Sequence, residues 1–430
     1  MRHPIGWTDL RSARVGVFGV GVEGRAAALR LRELTSDVVF VDDAHDATLE
    51  GAEVVATDHG GLGLLESCDV VIKSPGISRY RDDVIALESG GVAIVGGVGL
   101  TLHDLDPSRV ICVTGTKGKS TTASILGHLL GGLGLRTEVT GNLGRPPFDP
   151  SVPQDLDVLI VETSSFQALD IADPPGVVVV TSLSVDHLDW HRSVERYHAD
   201  KLSLTSLPGA GITIAQQRSD PLRDKAHLLG GDVRWSDGVA GAWAQSLGLL
   251  GEHNLANAEL ARCALRAFGA ESDDEALAHA AEGFVGLPGR LTEIGHHGGV
   301  RFVDDSLATN VLPTLAAIKA FEGERLAILI GGFDRGIEYA ELVNVLARRE
   351  APTLVVGLPD SGEGLVEQIG AMTESTATTV APDITSATEV AARWAAPDGV
   401  VLLSPAAPSF SQFRNWRERS EAFRTAVNQL

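Results

Sequence analysis

Lysine and serine follow a glycine-containing turn in the segment 110–122, VICVTGTKGKSTT. Gly115 and Gly118 let the backbone turn its N–H groups toward phosphate oxygens, while Lys119 and the start of the next helix supply positive charge. The Ser120 hydroxyl is placed to bind Mg²⁺ on the same phosphates. The spacing is shorter than G-x-x-x-x-G-K-[ST], because valine stands where the first glycine is usual. The segment predicts a phosphate-binding loop, the alternative being a glycine-rich turn without a ligand.

A second glycine loop, GVGVEG at 19–24, follows the first apolar run of the chain. It matches G-x-G-x-x-G, and about 20 residues later the run VVFV ends in Asp42 and Asp43. This pattern is typical of an NAD site, but the same geometry serves any diphosphate, and close helix–strand packing without a ligand also produces it. The segment KSPG at 73–76 ends a third strand, at the edge where doubly wound sheets bind ligands.

A carboxylate and several polar residues end the apolar run VLIV at 158–161. Glu162 is expected at the ligand edge of its sheet, where it could meet Mg²⁺ near Ser120. The alternative is that the segment only starts a helix, since Ser164 or Ser165 could cap one.

Two histidines, His187 and His191, stand four residues apart in SVDHLDWH. On a helix they would share a face, so zinc is conceivable, but the glutamate of the zincin pattern is missing. An imidazole near Mg²⁺ or on a substrate is favoured, and a solvated, capped turn is the alternative. Lys201 follows on a predicted helix, and taken alone it is expected to be an exposed surface lysine.

Three polar segments in the last third of the chain each follow an apolar strand: DDSLATN at 304–310, GGFDRG at 331–336 and SPAAPSF at 404–410. Asp304 and Asp305 are suited to ribose hydroxyls or Mg²⁺, and the planar fork of Arg335 is suited to a carboxylate or phosphate. Each segment alone could be a turn, but three at one sheet edge favour a ligand site.

Strands and helices alternate along the whole chain, which predicts α/β architecture with right-handed crossovers. Most strand candidates are continuous apolar runs, as expected for parallel strands covered on both faces. The predicted strands are 14–18, 38–41, 70–72, 110–113, 158–161, 177–181, 326–330, 353–356 and 400–403. The predicted helices are 24–34, 119–130, 193–204, 254–268, 313–320 and 388–395.

The length of 430 residues suggests about three domains, with boundaries near 105–108 and near the turn cluster at 287–290, just before a hairpin signal at 297–299. The net charge of −22 disfavours partners that need a positive surface, namely nucleic acid and anionic membranes. Three widely spaced cysteines cannot build a disulfide framework. The start of the chain lacks targeting features, and no apolar run is long enough to span a bilayer, so we expect a soluble cytoplasmic protein.

Taken together, these motifs resemble those of the Mur ligases, the ATP-dependent amino-acid ligases of peptidoglycan synthesis. The resemblance spans the chain, with motifs in order at 19–24, 114–120, 141–144, 162–167, 186–189, 201, 251–257, 289–290, 305–310 and 404–405. It implies a Rossmann-like UDP-binding domain (1–105), a central P-loop ATPase-like domain with a parallel sheet (106–287), and a C-terminal Rossmann-like domain that binds glutamate (288–430).

Within that family, the chain is similar to enzymes that add glutamate to UDP-N-acetylmuramoyl-L-alanine. It departs from the usual D-glutamate pattern, which has asparagine at the position of Lys117, lysine at Leu307, histidine at Gly289 and Cys-Ala at 407–408, where this chain has Ala-Pro. The less common branch that joins L-glutamate is resembled instead at Lys117, at Trp190-His191 and at the segment APSF, 407–410. The resemblance therefore implies L-glutamate as the substrate, with D-glutamate as the alternative.

The resemblance also implies roles for particular residues, with Lys119, His187 and Lys201 as the catalytic set. Residues implied at ATP are Gly115, Thr116, Lys117, Gly118, Lys119, Ser120, Thr121, Asn254, Arg290 and Asp305. Two Mg²⁺ sites are implied at Ser120, Glu162, His187 and an N-carbamoylated Lys201. The UDP-linked substrate is assigned to Gly19, Val20, Asp42, Asp43, Ser74, Asn142, Ser164 and Gln167. Incoming glutamate is assigned to Thr309, Arg335, Ser409, Phe410 and Trp416.

The implied reaction has two steps, formation of an acyl phosphate from ATP and its displacement by the glutamate amine. A monomer is expected, with functional coupling to an epimerase that acts on the product. Two rivals are an NAD-dependent oxidoreductase and a non-catalytic regulator that binds a UDP-sugar. The oxidoreductase leaves the segment 115–120 unexplained, and the intact Lys119, Ser120 and Glu162 argue against the regulator.

Overall fold

The computed structural model of the chain describes residues 2–142, 144–270, 272–410 and 412–430. The chain forms two compact units, the first comprising Met1–Leu247 and Ala256–Phe284 and the second comprising Gly248–Leu255 and Val285–Leu430. The first unit contains two sheets and the second contains one. The α/β fold class is confirmed, and the predicted domain boundaries stay predictions.

The first sheet has the strand order β3-β2-β1-β4-β5, and all of its pairs are parallel. Its strands are β1 (Val15–Phe18), β2 (Val38–Asp42), β3 (Val54–Ala56), β4 (Val70–Lys73) and β5 (Ala93–Val95). Its helices are α1 (Val22–Leu31), α2 (Gly61–Glu66), α3 (Asp82–Ser89) and α4 (Gly97–His103). The order reverses at β1, so the loops after β1 and β4 lie beside each other at the carboxyl edge, the position of ligand sites in doubly wound sheets.

The second sheet is also parallel, in the order β11-β10-β9-β6-β8-β7. Its strands are β6 (Val110–Thr114), β7 (Thr137–Gly141), β8 (Val158–Glu162), β9 (Val177–Val180), β10 (Ile212–Gln216) and β11 (Asp232–Ser236). The helices are α5 (Lys119–Gly132), α6 (Ser165–Ala168), α7 (Leu188–His191), α8 (Val194–Leu202), α9 (Asp220–Asp224), α10 (Glu252–Phe268) and α11 (Asp274–Ala281). Because β6 pairs with both β8 and β9, the segments after these three strands meet at one edge.

The third sheet has the order β12-β13-β17-β14-β15-β16, in which only the β12–β13 hairpin is antiparallel. Its strands are β12 (Thr292–His297), β13 (Val300–Asp304), β14 (Leu326–Ile330), β15 (Thr353–Gly357), β16 (Ala377–Val380) and β17 (Val400–Leu403). Its helices are α12 (Val311–Lys319), α13 (Ala340–Ala347), α14 (Ser361–Met372), α15 (Ile384–Ala395) and α16 (Trp416–Asn428). The strands β13, β17 and β14 are neighbours, so the three polar segments of the last third do share one sheet edge.

Each predicted strand and helix is present, with ends that match the prediction or are shifted by up to four residues. Helix α12 starts at Val311 rather than at Pro313, since proline is tolerated in a first turn whose N–H groups lack helical partners. The prediction left out β3, β5, β7, β10, β11 and β16, and it indicated β12 and β13 only through the hairpin signal at 297–299. Strands such as β11, with the sequence DVRWS, are partly exposed and lack a continuous apolar run. Short 3₁₀ helices occupy Trp7–Ser12, Thr57–His59, Pro107–Arg109, Ser203–Ser206, Ala226–Leu228 and Ala242–Leu247.

The central strands carry the core of each unit. All five residues of β6, β8 and β14 are buried, as continuous apolar strands between two helix layers require. Within the described ranges, no helix combines the length and apolar character needed to cross a bilayer.

Candidate active site

The segment between β6 and α5 has the geometry of a phosphate-binding loop. Gly115 has φ +131°, and a Cβ there would lie 2.2 Å from Thr181 Oγ1. Gly118 caps α5 with φ +90°, and a Cβ there would lie 2.6 Å from Asn257 Oδ1. Only glycine fits both positions, because of the left-handed backbone and the lack of space. The loop therefore leads into the N-terminus of a 14-residue helix, whose dipole favours anions.

Two lysines converge on this loop from different elements. Lys119 Nζ donates a hydrogen bond to the Thr116 carbonyl at 3.2 Å, and Lys201 Nζ on α8 donates one to the Gly115 carbonyl at 2.9 Å. Lys201 is only 2% exposed, so its expectation as a surface lysine is wrong. Burial and the neighbouring charge of Lys119 lower the pKa of Lys201 well below its ordinary value. Its amine is thus set up to lose its proton more readily than a surface lysine.

Lys117 lies at the exposed side of the loop. Its Nζ is 3.4 Å from Asp186 Oδ2, and both side chains are partly exposed. The Lys117 backbone N–H donates to Ser182 Oγ at 2.9 Å, which ties the loop to the segment after β9. The ion pair joins the phosphate loop to the turn that carries His187.

Glu162 is the last residue of β8, and the strand register places it beside Val113 of β6. Its side chain is 1% exposed. Oε1 accepts a hydrogen bond from Asn142 Nδ2 at 3.0 Å, whereas Oε2 is buried with no hydrogen-bond partner among the residues that the structure describes. A buried carboxylate oxygen without a donor is well suited to a hard cation. Leu143, in the same GNLG motif as Asn142, lies outside the described residues.

The turn around His187 is fixed by unusual backbone conformations. His187 has φ +50° and Arg192 has φ +68°, at the two ends of the short helix α7. Phe166 packs edge-on against His187, with ring centroids 4.9 Å apart. Burial, together with the charges of Lys201 and Lys119, lowers the pKa of His187 against the opposite effect of Asp186. The imidazole is half-exposed and suited to act as a neutral ligand.

His191 does not share a metal site with His187. Its ring is fully buried, with Nε2 at 2.9 Å from Ser165 Oγ and Nδ1 at 2.7 Å from Asp200 Oδ2. Both ring nitrogens are engaged, so the zinc pair considered from the i, i+4 spacing is wrong. Trp190 is also buried, so α7 is not merely a solvated turn.

Helix α6 begins with a capping box. Ser164 Oγ accepts a hydrogen bond from the Gln167 N–H, and Gln167 Oε1 accepts one from the Ser164 N–H. Of the two serines considered, Ser164 is therefore the one that caps the helix. Gln167 Nε2 also donates to Glu23 Oε1 at 2.6 Å, which joins this helix to the first glycine loop. Burial raises the pKa of Glu23 to about 7, against the opposing hydrogen bond from Gln167.

The first glycine loop is held by side chains from β2 and the segment after β4. The Val20 N–H donates to Asp42 Oδ2 at 2.7 Å, and Ser74 Oγ donates to the Gly19 carbonyl at 2.7 Å. A Cβ at Gly24 would lie 1.9 Å from the Gly19 carbonyl oxygen, whereas a Cβ at Gly21 would meet open space. The third glycine of the motif thus allows close packing, and the second leaves room for a ligand.

The two acids considered after β2 have different environments. Asp42 accepts backbone N–H groups of Val20 and Ala44. Asp43 pairs with the Arg81 guanidinium and accepts a hydrogen bond from Thr57 Oγ1. The hydrogen bonds from Arg81 lower the pKa of Asp43. Asp42 therefore shapes the loop, and Asp43 lies in an ion pair at its side.

In the second unit, Asp304 has a structural environment. It is fully buried, Oδ1 accepts the Ser306 N–H at 3.0 Å, and Oδ2 accepts the Ser420 hydroxyl of α16. The expectation that Asp304 binds ribose or Mg²⁺ is wrong in this structure, because its oxygens hold α16 to the sheet.

Asp305 is also buried. Oδ1 accepts the Leu291 N–H at 3.1 Å, and Oδ2 accepts Ser404 Oγ at 2.7 Å. Burial raises the pKa of Asp305 to about 8, partly offset by Ser404 and by the charge of Arg290. Asn254 Nδ2, near the start of α10, donates to the Leu250 carbonyl at 3.0 Å.

The residues assigned to glutamate surround the ends of β13, β14 and β17. Arg335 Nη2 donates to the Thr309 carbonyl at 3.3 Å, and the rings of Phe333 and Phe410 have centroids 6.4 Å apart. Ser409 is buried, whereas Phe410 is 56% exposed. Trp416 starts α16 and lies against Gly289, where a Cβ would come within 2.9 Å of the indole.

Some residues near the site were not among the predicted site residues. Lys73 Nζ lies 3.0 Å from Asp170 Oδ2, and Arg79 Nε lies 2.6 Å from Asp170 Oδ1. In the second unit, Arg419 donates to the carbonyls of Ala407 and Ser306. The sequence indicated Lys73 only as part of the segment KSPG at the end of a strand. No motif pointed to Arg79, Asp170 or Arg419, which act through contacts distant in sequence.

Comparison with known proteins gives the family. The model of the Mur ligase middle domain matches residues 113–228, and that of the Mur ligase glutamate ligase domain matches residues 289–407. A protein of Micromonospora sp. named UDP-N-acetylmuramoyl-L-alanine–L-glutamate ligase is 37% identical, over 98% of this chain and 97% of its own. Proteins of the same name from Salinispora tropica (37%, 98% of each chain) and Xanthomonas euvesicatoria (34%, 97% of this chain and 95% of that one) also match.

Solved structures show the same fold at low sequence identity. The MurF ligase of Thermotoga maritima in complex with ADP has a TM-score of 0.58 and 16% identity, over 98% of this chain and 97% of that chain. UDP-N-acetylmuramate-alanine ligase MurC of the same organism has a TM-score of 0.56 and 17% identity, over 97% and 99%. The chain belongs to the Mur ligase family. The three relatives described above are named as L-glutamate ligases.

Proposed function

We propose that this protein uses ATP to join L-glutamate to UDP-N-acetylmuramoyl-L-alanine, in the synthesis of peptidoglycan precursors. The observation that carries the proposal is full-length similarity, at 33–37% identity, to proteins that bear this activity in their names. The phosphate loop with its two converging lysines supplies the chemistry that an ATP-dependent ligation needs. An NAD-dependent oxidoreductase would leave these lysines without a role.

ATP is assigned to the loop between β6 and α5. Gly115 through Thr121 would surround the phosphates, with Lys119 as the cation nearest the developing charge. The ADP complexes of MurF from Thermotoga maritima and of folylpolyglutamate synthase from Mycobacterium tuberculosis concern proteins of the same fold. Asn254, Arg290 and Asp305 keep their assignment to the nucleotide as a proposal.

Two Mg²⁺ sites fit the residues present. Ser120 and Glu162 would hold the first, and the orphaned Glu162 Oε2 is the observation that supports it. His187 and Lys201 would hold the second. A neutral Lys201 amine adds to CO₂ and loses a proton to give a carbamate, which turns a cation into an anionic ligand, and the lowered pKa of Lys201 supports this change. Bound Mg²⁺ would supply charge neutralisation at the transferring phosphoryl group.

The UDP-linked substrate is assigned to the first glycine loop and to α6. Ser74 lies against this loop, and Gln167 reaches it through Glu23. The first glycine loop and the capped helix α6 thus belong to the same compact unit. The full set proposed for this substrate is Gly19, Val20, Asp42, Asp43, Ser74, Asn142, Ser164 and Gln167.

Glutamate is assigned to the second unit, with Arg335 as the cation for a carboxylate. Thr309 lies beside it, and Ser409, Phe410 and Trp416 complete the set. The preference for the L enantiomer draws on the names of the relatives and on the residue choices at Lys117, Leu307 and 407–408.

The proposed reaction has two steps. An oxygen of the alanine carboxylate attacks the γ-phosphorus of ATP, which forms an acyl phosphate and releases ADP. The glutamate amine then attacks the acyl carbon, forms the amide bond and releases phosphate and a proton. The first step brings like charges together, so cations must supply most of the stabilisation.

The cellular setting follows from these substrates. We propose that the reaction takes place in the cytoplasm, because it consumes ATP and a UDP-linked precursor, and that an epimerase acts on the product after this step. We propose a monomer, because each assigned substrate finds its residues within one chain.

Product formation tests the proposal. The protein is incubated with Mg²⁺, ATP, UDP-N-acetylmuramoyl-L-alanine and L-glutamate, and ADP, phosphate and the product mass are measured. We expect one ADP per product and no product when any substrate is omitted. Saturable micromolar NADH binding without ligation would favour the oxidoreductase instead.

A further inference from the structure

Four side chains in the first unit form a continuous chain of hydrogen bonds, called here the Tyr80–Ser165 chain. The Tyr80 hydroxyl donates to the Asp200 carboxylate at 2.8 Å. His191 Nδ1 lies 2.7 Å from Asp200 Oδ2, and His191 Nε2 lies 2.9 Å from Ser165 Oγ. Because a carboxylate only accepts, Nδ1 carries a proton and donates it to Asp200, and Nε2 forms the second hydrogen bond, with the Ser165 hydroxyl.

The chain joins three segments that the proposed function uses. Tyr80 belongs to the loop that follows Ser74, between β4 and α3. Ser165 is the first residue of α6, next to the Ser164 cap. Asp200 directly precedes Lys201 on α8. A displacement of any one segment would therefore stretch a hydrogen bond to the others.

The arrangement of Ser165, His191 and Asp200 resembles that of a hydrolytic triad, but it does not present a nucleophile. Ser165 and His191 are buried, and the rings of Phe166 and Tyr197 pack on the imidazole with centroid distances of 5.5 and 5.1 Å. A nucleophile must reach its substrate, so these groups hold structure rather than react.

Further bonds tie the same loop to α7. Ser78 Oγ donates to the Trp190 carbonyl at 3.0 Å, Trp190 Nε1 donates to the Pro75 carbonyl at 3.1 Å, and the Arg192 guanidinium donates to the Tyr80 carbonyl. Buried polar networks in which every member is satisfied fix one geometry, since each lost partner leaves a costly unpaired group. The loop after Ser74 is thus held in register with the buried side of α7.

We propose that His191 and Asp200 are positioning residues for the ligation, an inference that rests on the proposed function. The Tyr80–Ser165 chain sets the position of the UDP-substrate loop and of the α6 cap relative to Lys201. It thereby aligns the alanine carboxylate with the phosphates that the loop at 115–120 binds. The Tyr80–Ser165 chain affects the alignment of the reacting groups and not the affinity for ATP, because the proposed contacts to the ATP phosphates lie outside it.

The test uses His191→Phe, Asp200→Asn and Tyr80→Phe in the full chain. Ser203→Ala is the matched control, because it removes the hydrogen bonds that Ser203 Oγ makes with Arg2 and with the Asp200 backbone carbonyl, and it leaves the four side chains of the Tyr80–Ser165 chain in place. We expect kcat to fall about 10- to 100-fold in His191→Phe and Asp200→Asn, as misplacement of reacting groups predicts, with KM for ATP within about twofold of wild type. The control should keep wild-type kcat.

A double variant separates a coupled chain from independent contacts. Tyr80→Phe combined with His191→Phe should lose no more kcat than the more impaired single variant, because either change already interrupts the chain. Thermal midpoints of Asp200→Asn and Ser203→Ala are compared, so that a general loss of stability is recognised as such.

Wild-type kcat in His191→Phe and Asp200→Asn would overturn the inference, as would an equal loss in Ser203→Ala. A loss that appears only as a raised KM for ATP would overturn it as well. These results leave the proposed function intact, since wild type still makes product. Absence of product with wild type would instead contradict the proposed function, and the inference with it.

Discussion

Two segments are expected to contact substrate, the phosphate loop of the first unit and the segment 404–410 of the second. They are held in place in different ways. The phosphate loop is shaped by its own glycines and by the buried Lys201, which reaches the Gly115 carbonyl. The segment 404–410 is held from outside its motif, because buried Arg419 donates through both terminal nitrogens to the Ala407 carbonyl at 3.1 Å.

The difference extends to exposure and backbone strain. Ala406 adopts φ +57°, a left-handed conformation that is uncommon for a residue with a Cβ, and the exposed Phe410 follows three residues after Ala407. In the phosphate loop, positive φ falls on glycine, where it costs little. The phosphate loop is thus specified by a short motif, whereas the segment 404–410, which is proposed to help select glutamate, is supported by residues distant in sequence.

The largest effect is expected for Lys119→Ala. Removing this cation should lower kcat by about 100-fold or more, since such a group is worth about 3–4 kcal/mol where charge develops in a closed site. Phosphate release measures it. Lys319→Ala is the control, because that side chain is 65% exposed in the second unit. A Lys119→Ala rate above about a tenth of wild type would contradict the assignment.

Lys201→Ala tests whether the buried amine works as an anionic ligand. We expect an almost inactive protein that acetate partly restores, because a small carboxylate can fill the cavity and replace the carbamate. Activity is measured with rising acetate, with chloride at equal ionic strength as the control. Full activity without acetate would show that the buried Lys201 has no part in the reaction.

Arg335→Ala probes the second unit. Loss of one charged hydrogen-bond partner for a carboxylate should raise KM for glutamate roughly 10- to 100-fold and leave KM for ATP unchanged. Arg414→Ala is the matched control, since its side chain is 86% exposed and pairs only with Glu418 along α16 in the described part of the chain. Equal glutamate KM values for wild type and Arg335→Ala would remove Arg335 from the glutamate site.

The smallest effect concerns stability. Burial raises the pKa of Asp305 to about 8, while an unfolded aspartate has a pKa of about 3.9. Between these values the folded state binds more protons, so Asp305 makes the stability of the second unit fall as pH rises from about 4 to about 8. Asp305→Asn should remove this pH dependence of the free energy of unfolding. The stability of the variant, relative to that of wild type, should therefore be higher at about pH 8.5 than at about pH 5. Denaturation midpoints at the two pH values measure it, and an unchanged difference would contradict the raised pKa.

The fold could be predicted largely from the sequence, because buried parallel strands appear as continuous apolar runs. Strands β6, β8 and β14 were predicted in this way. Strands β11 and β16 were not predicted, because they are partly exposed and lack such a run. The geometry of the phosphate loop was also predictable, since Gly115 and Lys119 lie where the motif puts them, between β6 and the start of α5. A loop of this kind is formed by residues that are neighbours in the sequence.

Other features depend on neighbours in space, and the sequence could not supply them. The i, i+4 spacing of His187 and His191 suggested a shared face, but the left-handed backbone at His187 and the packing of α7 separate their environments. Asp304 and Asp305 are adjacent in sequence, yet Asp304 holds α16 through Ser420. Tyr80 and Asp200 are 120 residues apart, so no local pattern connects them.

The most direct test of the central claim is kcat/KM measured with L-glutamate and with D-glutamate, by phosphate release in the presence of ATP and UDP-N-acetylmuramoyl-L-alanine. Enantiomers carry the same groups, so discrimination must come from how the carboxylates pair with Arg335 and with the segment 404–410. A misplaced charged partner costs about 2–5 kcal/mol, which predicts a preference for L-glutamate of roughly 30- to 1,000-fold or more. Equal or higher kcat/KM with D-glutamate would contradict the account.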